Sequence, residues 1–182
     1  DHVTALWLHG AGAGAQDAPF DKVRALLEGS EIIAPQFGEP EATAWGDAIA
    51  DVLDALPPEA LLIGHSFGAS MLLKVLAERR PHRPAPALFG FAPPWWGPEG
   101  WGHESFHVPD DAASALDRVG ALHFYHGTAD DVVEPAHSAL YARAFPRARC
   151  QLVDGADHVF AGAELSDFAA DLTRAGLRDP TI

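Results

Sequence analysis

The chain has 182 residues, enough for one domain with a sizeable buried core and too few for two of ordinary size. A composition of 48% apolar and 21% charged residues is globular and excludes disorder and fibrous repeats. Twelve Lys and Arg against 26 Asp and Glu leave a net charge of −14. Such a surface repels nucleic-acid phosphates and anionic headgroups, so neither nucleic acid nor membrane is an expected partner.

The single cysteine, Cys150, rules out an internal disulfide framework and a multi-cysteine metal site. No apolar run approaches the roughly 18 residues of a membrane span. The chain starts at Asp1 and shows no signal-peptide pattern, and a cytoplasmic location is the expectation.

Taken in chain order, short apolar runs alternate with helical patterns. Residues 3–8 (Val-Thr-Ala-Leu-Trp-Leu) read as the first strand, and Phe20, Val23, Leu26 and Leu27 as the stripe of a first helix. A second strand falls at 31–34. A second stripe follows at Trp45, Ile49, Val52, Leu53 and Leu56, closed by Pro57-Pro58, whose rings remove a donor and clash with the preceding turn. The third strand, at 60–63, leads to a helix lined by Met71, Leu72, Val75 and Leu76. Strands at 87–91, 121–125 and 150–153 complete the set, with helical stripes at Leu140, Ala144 and Phe145 and at Leu165, Phe168, Ala169 and Leu172.

Most of the strands are continuous apolar runs, as expected of strands buried on both faces. The alternation therefore predicts an α/β fold: one domain over 1–182, built on a doubly wound, mostly parallel six-stranded sheet with helices on both faces. Residues 92–109 break the rhythm, with four prolines, three tryptophans (Trp95, Trp96 and Trp101) and several glycines. No regular element is expected there, and a loop of that length in a small domain is usually functional or mobile.

The most informative stretch is Gly64-His65-Ser66-Phe67-Gly68, between a strand pattern and a helical one. A serine on a sharp strand-to-helix turn stands above the sheet, and glycines two before and two after remove Cβ atoms that would clash. The first amides of the following helix point at any negative charge forming there. Serine is a poor nucleophile unless a neutral imidazole takes its proton. Ten histidines compete for that role, from His2 to His158, and only His158 sits on a loop after the last strand, near the elbow at the top of a parallel sheet.

Four segments together resemble the α/β-hydrolase superfamily. Leu8-His9-Gly10-Ala11-Gly12-Ala13-Gly14 is similar to its oxyanion loop, and residues 64–68 to its nucleophile elbow. Residues 126–135 (His-Gly-Thr-Ala-Asp-Asp-Val-Val-Glu-Pro) resemble its acid loop, and Gly155-Ala156-Asp157-His158 its histidine loop. The order Ser, Asp, His is the superfamily's order, and the resemblance spans residues 3 to 175. The usual sheet has eight strands against six here, which is similar to small members without the first two strands and without a helical cap.

The resemblance implies a serine hydrolase with Ser66 as nucleophile, His158 as general base and Asp130 as orienting acid. Asp130 is favoured over Asp131 by the spacing Gly127-x-x-Asp130-x-x-Val133, and the other of the pair is free to cap the helix expected near Pro135. Asp157 is too close in sequence to reach the His158 ring, and Asp154 reads as a loop residue. Backbone amides of Phe67 and of Ala11, or else Gly12, are the expected oxyanion donors. His65 reads as a packing or hydrogen-bonding residue, and His9 and His126 as loop-orienting ones. Trp95, Trp96 and Trp101, with Gly12, are candidate substrate contacts; the tryptophans alternatively cover the edge of the sheet.

The implied substrate is a small carboxylic ester or thioester, with no cofactor and no metal. Gly10 to Gly14 lack a Gly-x-Gly-x-x-Gly fingerprint, since residue 15 is Ala and residue 17 is Asp. His103-Glu104-Ser105-Phe106-His107 has the zinc-peptidase pattern, which works only on a helix, and its flanking glycines and Pro109 disfavour one. The competing reading from another class is an interaction protein on a hydrolase fold with an idle site.

Overall fold

The computed structural model describes residues 3–177, so His2 lies outside the described residues. Six strands form one sheet: β1 (Thr4–Leu8), β2 (Glu31–Ile33), β3 (Leu61–His65), β4 (Ala85–Phe91), β5 (Val119–Gly127) and β6 (Arg149–Val153). Their order is β2-β1-β3-β4-β5-β6, and every neighbouring pair is parallel. The helices are α1 (Phe20–Leu26), α2 (Ala42–Ala55), α3 (Phe67–Arg79), α4 (Ala112–Ala115), α5 (His137–Ala144) and α6 (Ser166–Arg174).

Successive residues of a strand face opposite sides, and both sides here are apolar. Leu6, Leu8, Leu62, Leu88 and Phe124 pack with Trp45, Ile49 and Leu53 of α2 and with Met71, Leu72, Val75 and Leu76 of α3. Ala5, Trp7, Leu61, Ile63, Phe89, Phe91 and Tyr125 pack against Phe20 and Val23 of α1 and Phe168 and Leu172 of α6. Burial of each large side chain contributes about 1.5–3 kcal/mol, which is why unbroken apolar runs are stable only with helices on both faces.

Two expectations need correction. The edge strands β2 and β6 are only partly buried, with Cys150 on β6 half-buried, because an edge strand has a neighbour on one side alone. Residues 92–109 also hold a regular element, a 3₁₀ turn over Glu104–Phe106. That turn needs only the bonds from Phe106 N–H to His103 O (3.0 Å) and from His107 N–H to Glu104 O (3.1 Å), and it fits the breaker-free gap between Gly102 and Pro109.

The register aligns the carboxyl ends of the central strands. Leu8 pairs with Gly64, His65 with Phe91, and Gly127 with Val153. Because the chain runs from β1 outward to β2 and then returns to β3 on the other side, the order reverses between β1 and β3. A crevice at the carboxyl ends, beside such a reversal, is where open α/β sheets place ligands. Among the described residues, no helix is long and apolar enough to cross a membrane.

Candidate active site

Ser66 stands between β3 and α3 with φ 54° and ψ −125°. A non-glycine residue held at positive φ costs roughly 1–3 kcal/mol and persists only where its surroundings fix it. They do so here. The Ser66 N–H donates to Phe91 O at 2.8 Å, and the Ser66 carbonyl accepts from the amides of Ala69 and Ser70 at 3.0 and 3.1 Å. A Cβ on Gly64 would lie 2.7 Å from Ala69 Cα, and one on Gly68 would lie 2.6 Å from Leu8 O. The two glycines flanking the elbow therefore let α3 pack onto the ends of β1 and β3.

The Ser66 hydroxyl lies 3.0 Å from His158 Nε2, and His158 Nδ1 lies 2.8 Å from Asp130 Oδ2. With the imidazole proton on Nδ1, Ser66 donates to His158 and His158 donates to Asp130. The second carboxylate oxygen accepts from the Val132 and Val133 amides, both at 2.9 Å. His126 Nε2–H donates to Val133 O at 2.8 Å and sits 3.3 Å from Asp130 Oδ2. Burial by itself would raise the Asp130 carboxyl, but the bonds from His126, His158 and the two amides outweigh it and hold the group well below the usual carboxylate range. Asp131, its neighbour, is exposed, and neither residue caps α5, whose first residue follows Ala136.

The loops carrying these side chains are tied to one another. Thr128 N–H donates to Val153 O and Ala129 N–H to Ala156 O, each at 3.0 Å. Asp157 Oδ1 accepts from the Val159 and Ala161 amides, which sets the turn that presents His158. Lys22 of α1 donates to the carbonyls of Phe160 and Ala163, both at 2.6 Å. His9 Nδ1–H donates to Gly10 O at 2.7 Å, and His9 Nε2 accepts from the Phe37 amide at 2.8 Å, which orients the start of the glycine loop. Lys22 was not visible as a site residue in the sequence, Asp157 was weighed there only as an orienting acid, and His126, four residues before Asp130, was read as loop-orienting rather than as a second histidine beside the carboxylate.

Ala11, Gly12 and Phe67 line a cavity of about 600 Å³ above Ser66. The Ala11 and Phe67 amides donate to no acceptor among the described residues. Trp96 and Trp101 also line this cavity, whereas Trp95 does not. Its ring packs edge-on against Tyr141 at 5.1 Å and borders a separate cavity of about 280 Å³, which places Trp95 outside the cavity above Ser66. The tryptophan segment is also anchored: Trp96 Nε1–H donates to Ser70 Oγ, the Trp95 amide to His137 Nδ1, and Lys74 Nζ to His107 O.

His65 lies beneath His158, and its Nε2–H donates to the His158 carbonyl at 2.8 Å. Burial, only partly offset by that bond, pushes its pKa down from 6.5 to about 4. An unfolded chain takes up a proton at this ring as pH falls below 6.5, while the folded chain does not until about 4. Folding stability from this group is therefore complete above pH 6.5 and declines toward pH 4, by about 3 kcal/mol in total. Urea unfolding at pH 7 and pH 4.5 is expected to show a smaller acid-induced loss for His65→Gln than for the parent. Equal losses would remove His65 from the account.

The His103–His107 segment is a 3₁₀ turn, so its two histidines do not occupy the i and i+4 positions of an α-helix. The His103 ring stacks on Phe106 at 4.2 Å, and its Nδ1 lies 2.8 Å from Ser105 Oγ. Among the described residues, no group of three or more His, Cys, Asp or Glu side chains is placed to hold a metal ion.

A family model described as serine hydrolase matches residues 23–168. Among solved structures, the ydeN gene product of B. subtilis is 16% identical, with a TM-score of 0.74 over 96% of this chain and 98% of that one. The meta-cleavage product hydrolase CumD of Pseudomonas fluorescens IP01 is 15% identical, with a TM-score of 0.75 over 97% and 91%. Est1E of Butyrivibrio proteoclasticus, solved with ferulic acid bound, is 14% identical, with a TM-score of 0.70 over 96% and 88%. At these identities the structures speak for the fold alone. No curated protein matches the sequence.

Proposed function

The chain belongs to the serine hydrolase family, within the α/β-hydrolase superfamily, and from that premise we propose that it cleaves small carboxylic esters or thioesters through an acyl-enzyme on Ser66. The supporting observation is the unbroken hydrogen-bonded chain from Ser66 Oγ through His158 to Asp130.

In this reading Ser66 Oγ attacks the substrate carbonyl carbon while its proton passes to His158 Nε2. The oxygen that gains charge is held by the Phe67 and Ala11 amides; fixed donors of this kind are worth roughly 3–4 kcal/mol each. The carbon–oxygen or carbon–sulfur bond then breaks, and the leaving group takes the proton from His158. Water repeats the sequence on the acyl-enzyme: its proton goes to His158, its oxygen to the acyl carbon, and Ser66 recovers its hydrogen as the carboxylic acid departs. Asp130 keeps the imidazole in the receptive tautomer and stabilises the transient imidazolium. The partner is a small molecule, and the chemistry calls for no cofactor.

A fluorophosphonate probe tests the reading. One adduct per chain is expected, and peptide mapping should place it on Ser66. Folded protein that takes up no probe, or takes it elsewhere, would leave the site idle and favour the interaction-protein alternative.

A further inference from the structure

The cavity above Ser66 has an unusual wall. Trp96 and Trp101 meet at 5.2 Å and 71°, Trp96 and Phe106 at 5.0 Å, and Phe67 and Phe106 at 4.8 Å. These rings form one interlocked aromatic group. The Trp96 indole is further fixed by its bond to Ser70 Oγ, which itself donates to Phe67 O. Across the cavity the lining is mostly glycine, alanine, proline and valine, with Val132, 55% exposed, at the mouth. Among the described residues no lysine or arginine lines it, and the sole carboxylate is Asp17, whose Oδ2 already accepts from the Gly14 amide at 2.6 Å.

We infer that this cavity selects an uncharged ester carrying a flat ring, seated against Trp96 and Trp101. The inference rests on the hydrolase reading for the word ester, but the ring site stands on the wall itself. A preformed wall of edge-on aromatic rings matches a ring, which has few torsions to freeze, better than an alkyl chain of similar carbon count that must lose rotamer freedom on binding. Ring pairs also gain more than the area they bury. An anionic group would leave water with no cation to meet it, beside Asp17 and in a chain of net charge −14. A volume of about 600 Å³ holds a substituted single ring.

Calorimetry on Ser66→Ala, with methyl benzoate, methyl hexanoate and monomethyl succinate as the probes, tests this without turnover. Methyl benzoate should bind about tenfold more tightly than methyl hexanoate, and monomethyl succinate more weakly than either. Trp101→Leu in the same background should cut the benzoate-to-hexanoate ratio at least about fivefold. Trp96→Phe, which keeps a ring in the wall, should retain most of it and serves if the first variant fails to fold. Hexanoate binding as well as benzoate, succinate matching benzoate, or no benzoate binding at all would overturn the inference. Fluorophosphonate labelling of the parent separates the two readings. Labelling without ring preference sinks this inference alone, whereas ring preference without labelling leaves the site standing and removes the acyl-enzyme.

Discussion

Ser66→Ala is expected to slow hydrolysis of p-nitrophenyl acetate by at least about a thousandfold. The substitution isolates the chemistry, because the bonds that hold the elbow are made by the Ser66 backbone, to Phe91, Ala69 and Ser70, and survive the loss of the hydroxyl. Among the described residues the hydroxyl hydrogen-bonds only to His158. Alanine meets the same positive φ that serine does, so the strained turn stays as costly as before and the melting temperature should move little. What remains is a cavity and an imidazole, with no hydroxyl at position 66 to accept an acyl group. Steady-state rates and a thermal melt on the same sample check this. A variant that melts normally and still turns over near the parent rate would place the reaction elsewhere.

Much of this arrangement was legible because its signals are local. Gly64 and Gly68 mark a turn that only small residues allow, and the strand before it and the helical stripe after it are each readable in a dozen residues. The six apolar runs gave the sheet, and the order of Ser66, Asp130 and His158 followed from the resemblance to a known superfamily. What stayed hidden depends on contacts distant in sequence. Lys22 bonds to carbonyls 138 and 141 residues away, and nothing in the first helix hints that its lysine braces the histidine loop. The 3₁₀ turn at 104–106 lay inside a stretch so rich in prolines and glycines that composition argued against any regular element, although the breakers stand at its borders. Trp95 and Trp96 are adjacent and alike in sequence, yet one borders the Ser66 cavity and the other Tyr141. Their neighbours in space, Ser70 and His137, decided between them.

Asp130→Asn carries the second large expected effect, a loss of about 10³- to 10⁴-fold in kcat/KM, against less than about twofold for Asp131→Asn at an exposed position. Both residues are aspartates in one short loop, and the difference is one of hydrogen-bond direction. Asp130 offers Oδ1 to the amides of Val132 and Val133 and Oδ2 to His158. An asparagine keeps those two amide bonds by directing its carbonyl at them, so the loop need not rearrange. Its amide nitrogen must then face His158 Nδ1 as a donor, and the imidazole shifts its proton to Nε2 to accept it. An Nε2–H cannot take the Ser66 proton, and the hydroxyl loses its base while every atom stays near its place. Deleting the charge also removes the partner of the imidazolium that the proposed acyl transfer forms. The measurement is kcat/KM for both variants with one ester, alongside fluorophosphonate labelling rates, which should fall with Asp130→Asn and hold with Asp131→Asn. The reverse ranking would move the orienting acid one residue along the chain and leave the bond between His158 and Asp130 as a feature of folding alone.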